Sequence, residues 1–298
     1  MARHRWLAAF LLFMAVLSAA RAQGTSGTRG SDSAVGYIDS AIPSDILRFR
    51  FDAADNDFRP TRAEFFYPKT KPGPGLPTAE RRVNFQELSA YLETAATDRF
   101  SGFVNVPVRF LQADVNHDHA GPGDLDAGVK YAFLYDDDRV GTFQFRTYAP
   151  TGNSHEGLGT HHVSLEPGLL FYDRLTCRLA LESELRLWVP IGGTDFAGDI
   201  LRYGVGLHYD LYQTAHCTLT PVLELVGWTV LDGKESAFPP WRKTPFVEDA
   251  AGQTIFNAKF GLRARFEDRA DLYVGYGRPL TGDRWYENVV RVEFRLFY

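Results

Sequence analysis

The sequence predicts an all-β chain: a single antiparallel transmembrane β-barrel of about twelve strands in up-and-down order. Three observations carry that expectation. Successive segments of about ten residues alternate apolar and charged side chains. The links between them are by turns short and long. After the first twenty or so positions, no stretch approaches the ~18 unbroken apolar residues of a membrane helix.

The first element is an export signal. Arg3, His4 and Arg5 make a basic start, residues 6–19 an apolar run, and Ala20-Arg21-Ala22 a cleavage sequence ahead of Gln23. That order reads as a secretory signal peptide over 1–22, cut between Ala22 and Gln23. Cleavage removes three arginines from a chain of formal net charge −5, leaving it more acidic and ill-suited to nucleic acid. Residues 23–44, rich in Gly and Ser, form either a flexible periplasmic lead or a partial plug folded back into the lumen.

The barrel is expected over 45–298. Strands begin near Asp45, Arg82, Phe100, Gly123, Val140, Thr160, Cys177, Asp199, Thr218, Gln253, Asp271 and Tyr286. Most are longer than the ~5–6 residues usual in soluble domains and match the roughly 9–11 of a tilted membrane strand. Links after even-numbered strands are tight, as at Thr97-Asp98 and Asp173-Arg174. Those after odd-numbered strands are longer, notably 54–81, 112–122 and 231–252. Outer-membrane barrels sort periplasmic turns from outer loops in this way, and an even strand count leaves both termini in the periplasm.

The faces agree. On the seventh strand Leu179, Leu181, Leu185, Leu187 and Val189 oppose Arg178, Glu182, Glu184 and Arg186. On the eighth, Leu201, Tyr203, Val205 and Leu207 oppose Arg202 and His208. On the tenth, Phe256, Phe260, Leu262 and Phe266 oppose Lys259, Arg263 and Arg265. A soluble core cannot bury so many charges on one face without a cost of several kcal/mol for each unpaired one (roughly, by transfer energetics). Lipid outside and a wet lumen inside resolve the conflict. The last strand sets Tyr286, Val290, Val292, Phe294, Leu296 and Tyr298 against Glu287, Arg291, Glu293 and Arg295. Its ending, Phe294-x-Leu296-x-Tyr298, resembles the terminal signal by which outer-membrane barrels are recognised for insertion by the barrel-assembly machinery.

Gly123-Asp124-Leu125-Asp126-Ala127-Gly128, Pro150-Thr151-Gly152 and Gly157-Leu158-Gly159 supply a further likeness, joined by Glu166-Pro167-Gly168-Leu169-Leu170 and Arg202-Tyr203-Gly204-Val205-Gly206. From about Gly123 onward the chain resembles the barrel family labelled after the MetA pathway of phenol degradation, whose members are treated as outer-membrane transporters. The resemblance implies an outer-membrane barrel; the substrate in the label has no counterpart in these motifs. Locally, Gly204 and Gly206 remove lumen side chains and make room for neighbours such as Arg202.

Arg178, Glu182, Glu184, Arg186, Arg202, Glu224, Arg263, Arg265, Arg291 and Glu293 are the candidate lumen charges that set selectivity. Basic and acidic side chains are nearly balanced across the whole inner face, which includes Asp124, Asp210 and Glu287. Two readings stay open: a narrow polar pore or gated path for small polar molecules, and a salt-bridged wall with no transport role. Few apolar rows face inward, which argues against a greasy route for hydrocarbons. A third reading is a lipid hydrolase. His162 and Ser164 share a face, but the expected register turns them inward, and Leu165-Glu166 replaces the Asn-Gly that follows the serine of such enzymes. No enzyme activity and no cofactor are expected. Asp114-x-Asn116-x-Asp118 opens like a calcium loop, but His119 stands where Gly is needed, so no metal is expected either. Cys177 and Cys217 lie two strands apart, roughly 9–10 Å, too far to bridge. The partners expected are lipid and an unknown small solute, with a monomeric barrel.

Overall fold

The computed structural model describes residues 32–58, 74–237, 246–282 and 284–298. The predicted signal peptide, with Ala22 and Gln23, lies outside the described residues. Twelve long strands make the wall: β1 (Ile46–Asp57), β2 (Val83–Thr97), β3 (Phe100–Ala113), β4 (Leu125–Tyr135), β5 (Arg139–Ala149), β6 (Val163–Arg174), β7 (Leu179–Ile191), β8 (Ile200–Tyr209), β9 (Cys217–Val230), β10 (Thr254–Phe266), β11 (Ala270–Pro279) and β12 (Asn288–Phe297). Each pairs antiparallel with its neighbours in sequence. The ring closes where β1 meets β12, from Ile46 opposite Phe297 to Asp55 opposite Asn288. Closure leaves no free sheet edge, as lipid demands of any spanning sheet. Among the described residues no helix is long and apolar enough to cross a membrane.

Every strand starts within about three residues of its expected position, because alternation and turn residues are local signals. The tight turns, such as Asp136–Asp138 (Asp136 N–H donating to the Arg139 carbonyl at 3.0 Å), share one end of the barrel with the start of β1 and the end of β12. The longer links crowd the opposite end. One of them carries a ribbon of its own, Lys234–Ala237 paired with Phe246–Asp249. Another contributes His119–Pro122, which pairs back onto β3.

The outer surface is apolar. Leu223, Phe260 and Val274 are each about half exposed, alternating with side chains that point inward. Transferred to lipid, that belt is satisfied rather than wasted, since apolar surface gains by leaving water.

Candidate functional site

The inner wall is a lattice of ion pairs between strands. Lys130 Nζ on β4 sits 2.9 Å from Glu93 on β2, and Arg186 on β7 lies 2.6 Å from Glu166 on β6. Arg263 on β10 reaches Glu293 on β12 at 2.9 Å, and Arg50 on β1 reaches the same carboxylate at 2.6 Å. A buried charge is tolerated only when paired and hydrogen-bonded, and alternating register makes such partners adjacent.

Through this lattice runs the segment before β1. Asp32 begins at the tight-turn end, where it pairs with Arg174 at 2.6 Å. The chain climbs to Tyr37 and Asp39, then descends through Ala41 and Ile42 to Ser44 beside Glu93. The wall holds its backbone. Glu182 accepts from the Ala34 amide, Glu224 from Gly36, Tyr37 and Ile38, and Glu184 from Asp39, all within 2.9–3.2 Å. Arginines take the carbonyls: Arg295 donates to Ser33 at 2.7 Å, Arg263 to Ala34 and Val35 at 2.8 Å, Arg202 to Tyr37 at 2.6 Å, and Arg291 to Gly36. Asp39 is clamped between Arg146 (2.6 Å) and Arg186 (2.8 Å). Buried backbone groups must find partners, and here carboxylates and guanidiniums of the wall provide them.

Two wall glycines fit this segment. A Cβ on Gly204 would stand 2.6 Å from Ile38 Cγ2, and one on Gly206 would stand 2.7 Å from Val35 Cγ1. The room they leave is taken by the inserted segment, with Glu184 and Glu224 also close, rather than by Arg202.

Of the ten candidate lumen charges, Glu182, Glu184, Arg186, Glu224, Arg263 and Glu293 are buried in the wall. Arg202 and Arg291 line the space above the segment, and Arg265 reaches toward Asp32 at 3.9 Å. Arg178 is a correction: it is exposed in the β6–β7 turn, where its carbonyl receives the Asp210 amide. Asp210 is likewise in a turn, accepting from Thr220 Oγ1. Glu287 precedes β12 and pairs with Arg284 at 3.1 Å. Alternation continues past a strand end in sequence, but the wall does not.

Tyr286 is a second correction. Expected on the lipid face, it is buried at the loop end. There it joins Trp188, Trp228 and Trp285 around a cavity of about 250 Å³ between the inserted segment and the loops. Trp285 stands 6.2 Å from Trp188 and 5.4 Å from Trp228, ring centre to ring centre. The lower rim carries Arg50, Arg146, Arg186, Arg202, Lys259 and Arg291 against Asp39, Asp52 and Glu87. Few apolar rows were expected inside. Trp188 and Trp228 continue the inward rows of Glu184 and Arg186 on β7 and of Glu224 on β9, a signal that attention to the charged side chains of those rows passed over.

Asp124 does not face the lumen. It accepts from the amides of Gly152 (3.0 Å) and Thr160 (2.9 Å) and from the Thr160 hydroxyl. Thr151 Oγ1 donates to the Gly123 carbonyl, and a Cβ at Gly159 would meet Asp124 at 2.4 Å. The glycine motifs thus meet in a knot that ties two loops. Ser164 is buried on the inner side of β6 and His162 is buried just before that strand, not outward toward lipid. The His162 Nδ1 lies 2.9 Å from the Thr160 carbonyl. In the calcium-like loop, Asn116 accepts from Thr78 of the β1–β2 link and Asp118 accepts from Ala113, so both are engaged in loop structure. Cys177 is exposed, Cys217 part-buried, and neither is in a disulfide.

No family model and no curated protein matches the chain. Solved structures do. The COG4313 outer membrane channel from Pseudomonas putida F1 superposes with a TM-score of 0.55 at 12% identity, covering 89% of this chain and 100% of that one. The NanC porin (TM-score 0.49, 10% identity, 85% and 99% covered) and the KdgM porin (0.46, 11%, 85% and 99%) are more distant. The fold is that of outer-membrane barrels.

Proposed function

We propose that the chain is a gated outer-membrane channel for small solutes, with residues 32–44 as its plug. The supporting observation is the one just described: an extended segment held inside the bore by backbone hydrogen bonds from opposite walls. A purely structural barrel has no need to recognise main chain. The apolar outer belt, the signal peptide that the sequence predicts and the likeness to the Pseudomonas channel support the outer membrane. The tight-turn end and both termini would then be periplasmic, so the plug enters from that side. The barrel acts as a monomer, assembled with the barrel-assembly machinery and solvated by lipid. Above the plug, cations outnumber carboxylates, which favours anions through local potential.

Planar-bilayer conductance of the full chain against a variant lacking 23–44 tests this reading. Discrete steps that grow on deletion, with a reversal potential on the anion side in a salt gradient, are expected. A folded deletion variant that stays silent would leave the salt-bridged wall without transport as the better account.

A further inference from the structure

The vestibule above the plug carries more than charge. Five polar groups there have no acceptor or anion of their own. The indole nitrogens of Trp188 and Trp228 and the hydroxyls of Tyr37 and Tyr286 lack hydrogen-bond partners, on side chains that are each more than nine-tenths buried. Lys259 Nζ sits 3.9 Å from the centre of the Tyr37 ring, 5.3 Å from Trp228 and 5.8 Å from Tyr286. Among the described residues it makes no ion pair with a carboxylate. All five residues line one cavity.

The chemistry they share is one-sided. Indole N–H and ammonium only donate, and a phenol donates readily. A buried donor left unmade costs free energy, so the fitting ligand is an acceptor, and the ammonium makes it an anion. Beside the charged lower rim the lining offers ring surface, with Phe85 among it and Trp285 bridging the other two indoles. Flat rings meet flat rings in offset or edge contacts. At about 250 Å³ the space falls below the ~300–1,000 Å³ of pockets for drug-sized ligands. It suits one ring rather than a chain of sugars.

We propose that the vestibule is a binding site for a single-ring aromatic carboxylate, with Lys259 and the Trp188 and Trp228 N–H groups on the carboxylate and the indole faces on the ring. The proposal rests on the channel reading for its purpose, in that this is the solute held before the plug yields. It does not rest on that reading for the binding itself. A neutral phenol lacks the charge for Lys259, and acetate lacks the ring.

Three of the five tryptophans of the chain line the cavity, so intrinsic fluorescence reports on it directly. The full chain, folded in detergent and checked by heat-modifiable gel mobility, is titrated with benzoate, phenol and acetate. Saturable quenching by benzoate is expected, with phenol and acetate weaker by about tenfold or more, and Lys259→Met weakening benzoate by a similar factor. Trp228→Phe keeps a ring but loses the donor and should weaken benzoate roughly two- to tenfold; it carries the test if Lys259→Met fails to fold. Absence of saturation, or benzoate affinity unchanged in the folded variants, overturns the site. Conductance without saturable binding would sink this inference alone. Saturable binding with a silent plug-deleted barrel would sink the channel alone.

Discussion

At the scale of single residues, the lumen shows how a polar wall selects one conformation of a short segment. Glu224 accepts three successive amides, from Gly36 to Ile38, and charge-assisted bonds of this kind are about twice as strong as neutral ones. Gly204 and Gly206 admit the segment by having no side chain. Valine at either position adds methyl groups where Ile38 and Val35 already sit. Gly204→Val and Gly206→Val should therefore expel the inserted segment while the wall still closes. Limited proteolysis of the refolded barrel would show new cleavage within 32–44, with heat-modifiable mobility kept. Equal protection in wild type and variants would count against a close fit. The same scale explains three misplacements. Arg178, Asp210 and Tyr286 continue the alternation of a neighbouring strand but lie beyond its last ladder bond, and a side chain's facing is defined only inside the ladder.

At the scale of elements, each strand is a compromise between lipid and lattice. Leu223 lies near the middle of β9 and is half exposed to the outside, while its neighbour Glu224 is fully buried. Leu223→Arg should destabilise the barrel by roughly 2–4 kcal/mol, whereas Leu211→Arg, in the β8–β9 turn, should cost about 0–1 kcal/mol. Urea titrations of folding into lipid vesicles would compare them, and equal costs would mean that the belt is misplaced. For β12 we propose a second task, as an insertion signal. Phe294 and Leu296 face outward from β12, and Tyr298 Oη stands 2.7 Å from Thr94 Oγ1, next to the closing seam. Replacing Phe294 and Tyr298 with Ser should cut recovery from the outer membrane while refolding in detergent survives. Equal loss in both would assign these residues to stability instead of insertion. Strand positions were legible because period-two alternation needs only neighbours in sequence. The loop knot around Asp124 was not, because its partners lie 28 and 36 positions away.

At the scale of the whole molecule, closure decides what can touch. β8 separates the strand that follows Cys177 from the strand that opens with Cys217, so both thiols should take up alkylating reagent without prior reduction. A mass gain for two adducts is expected, and none would imply a bridge that this strand order forbids. Closure also brings β1 against β12 and surrounds the segment before β1 with wall on all sides. The sequence by itself determined the barrel: the alternation, the strand lengths and the sorting of short and long links are local, and a membrane admits few structures that satisfy them. Only the tertiary structure decided the lumen's contents. Most of the bonds that hold residues 33–39 join distant positions, 107 apart for Arg146 with Asp39 and 262 apart for Arg295 with Ser33, and the vestibule gathers indoles from β7, β9 and the loop before β12. Local patterning tells which way a side chain points. Which distant group it then meets depends on strand order, register and closure together, and these exist only once the ring is complete.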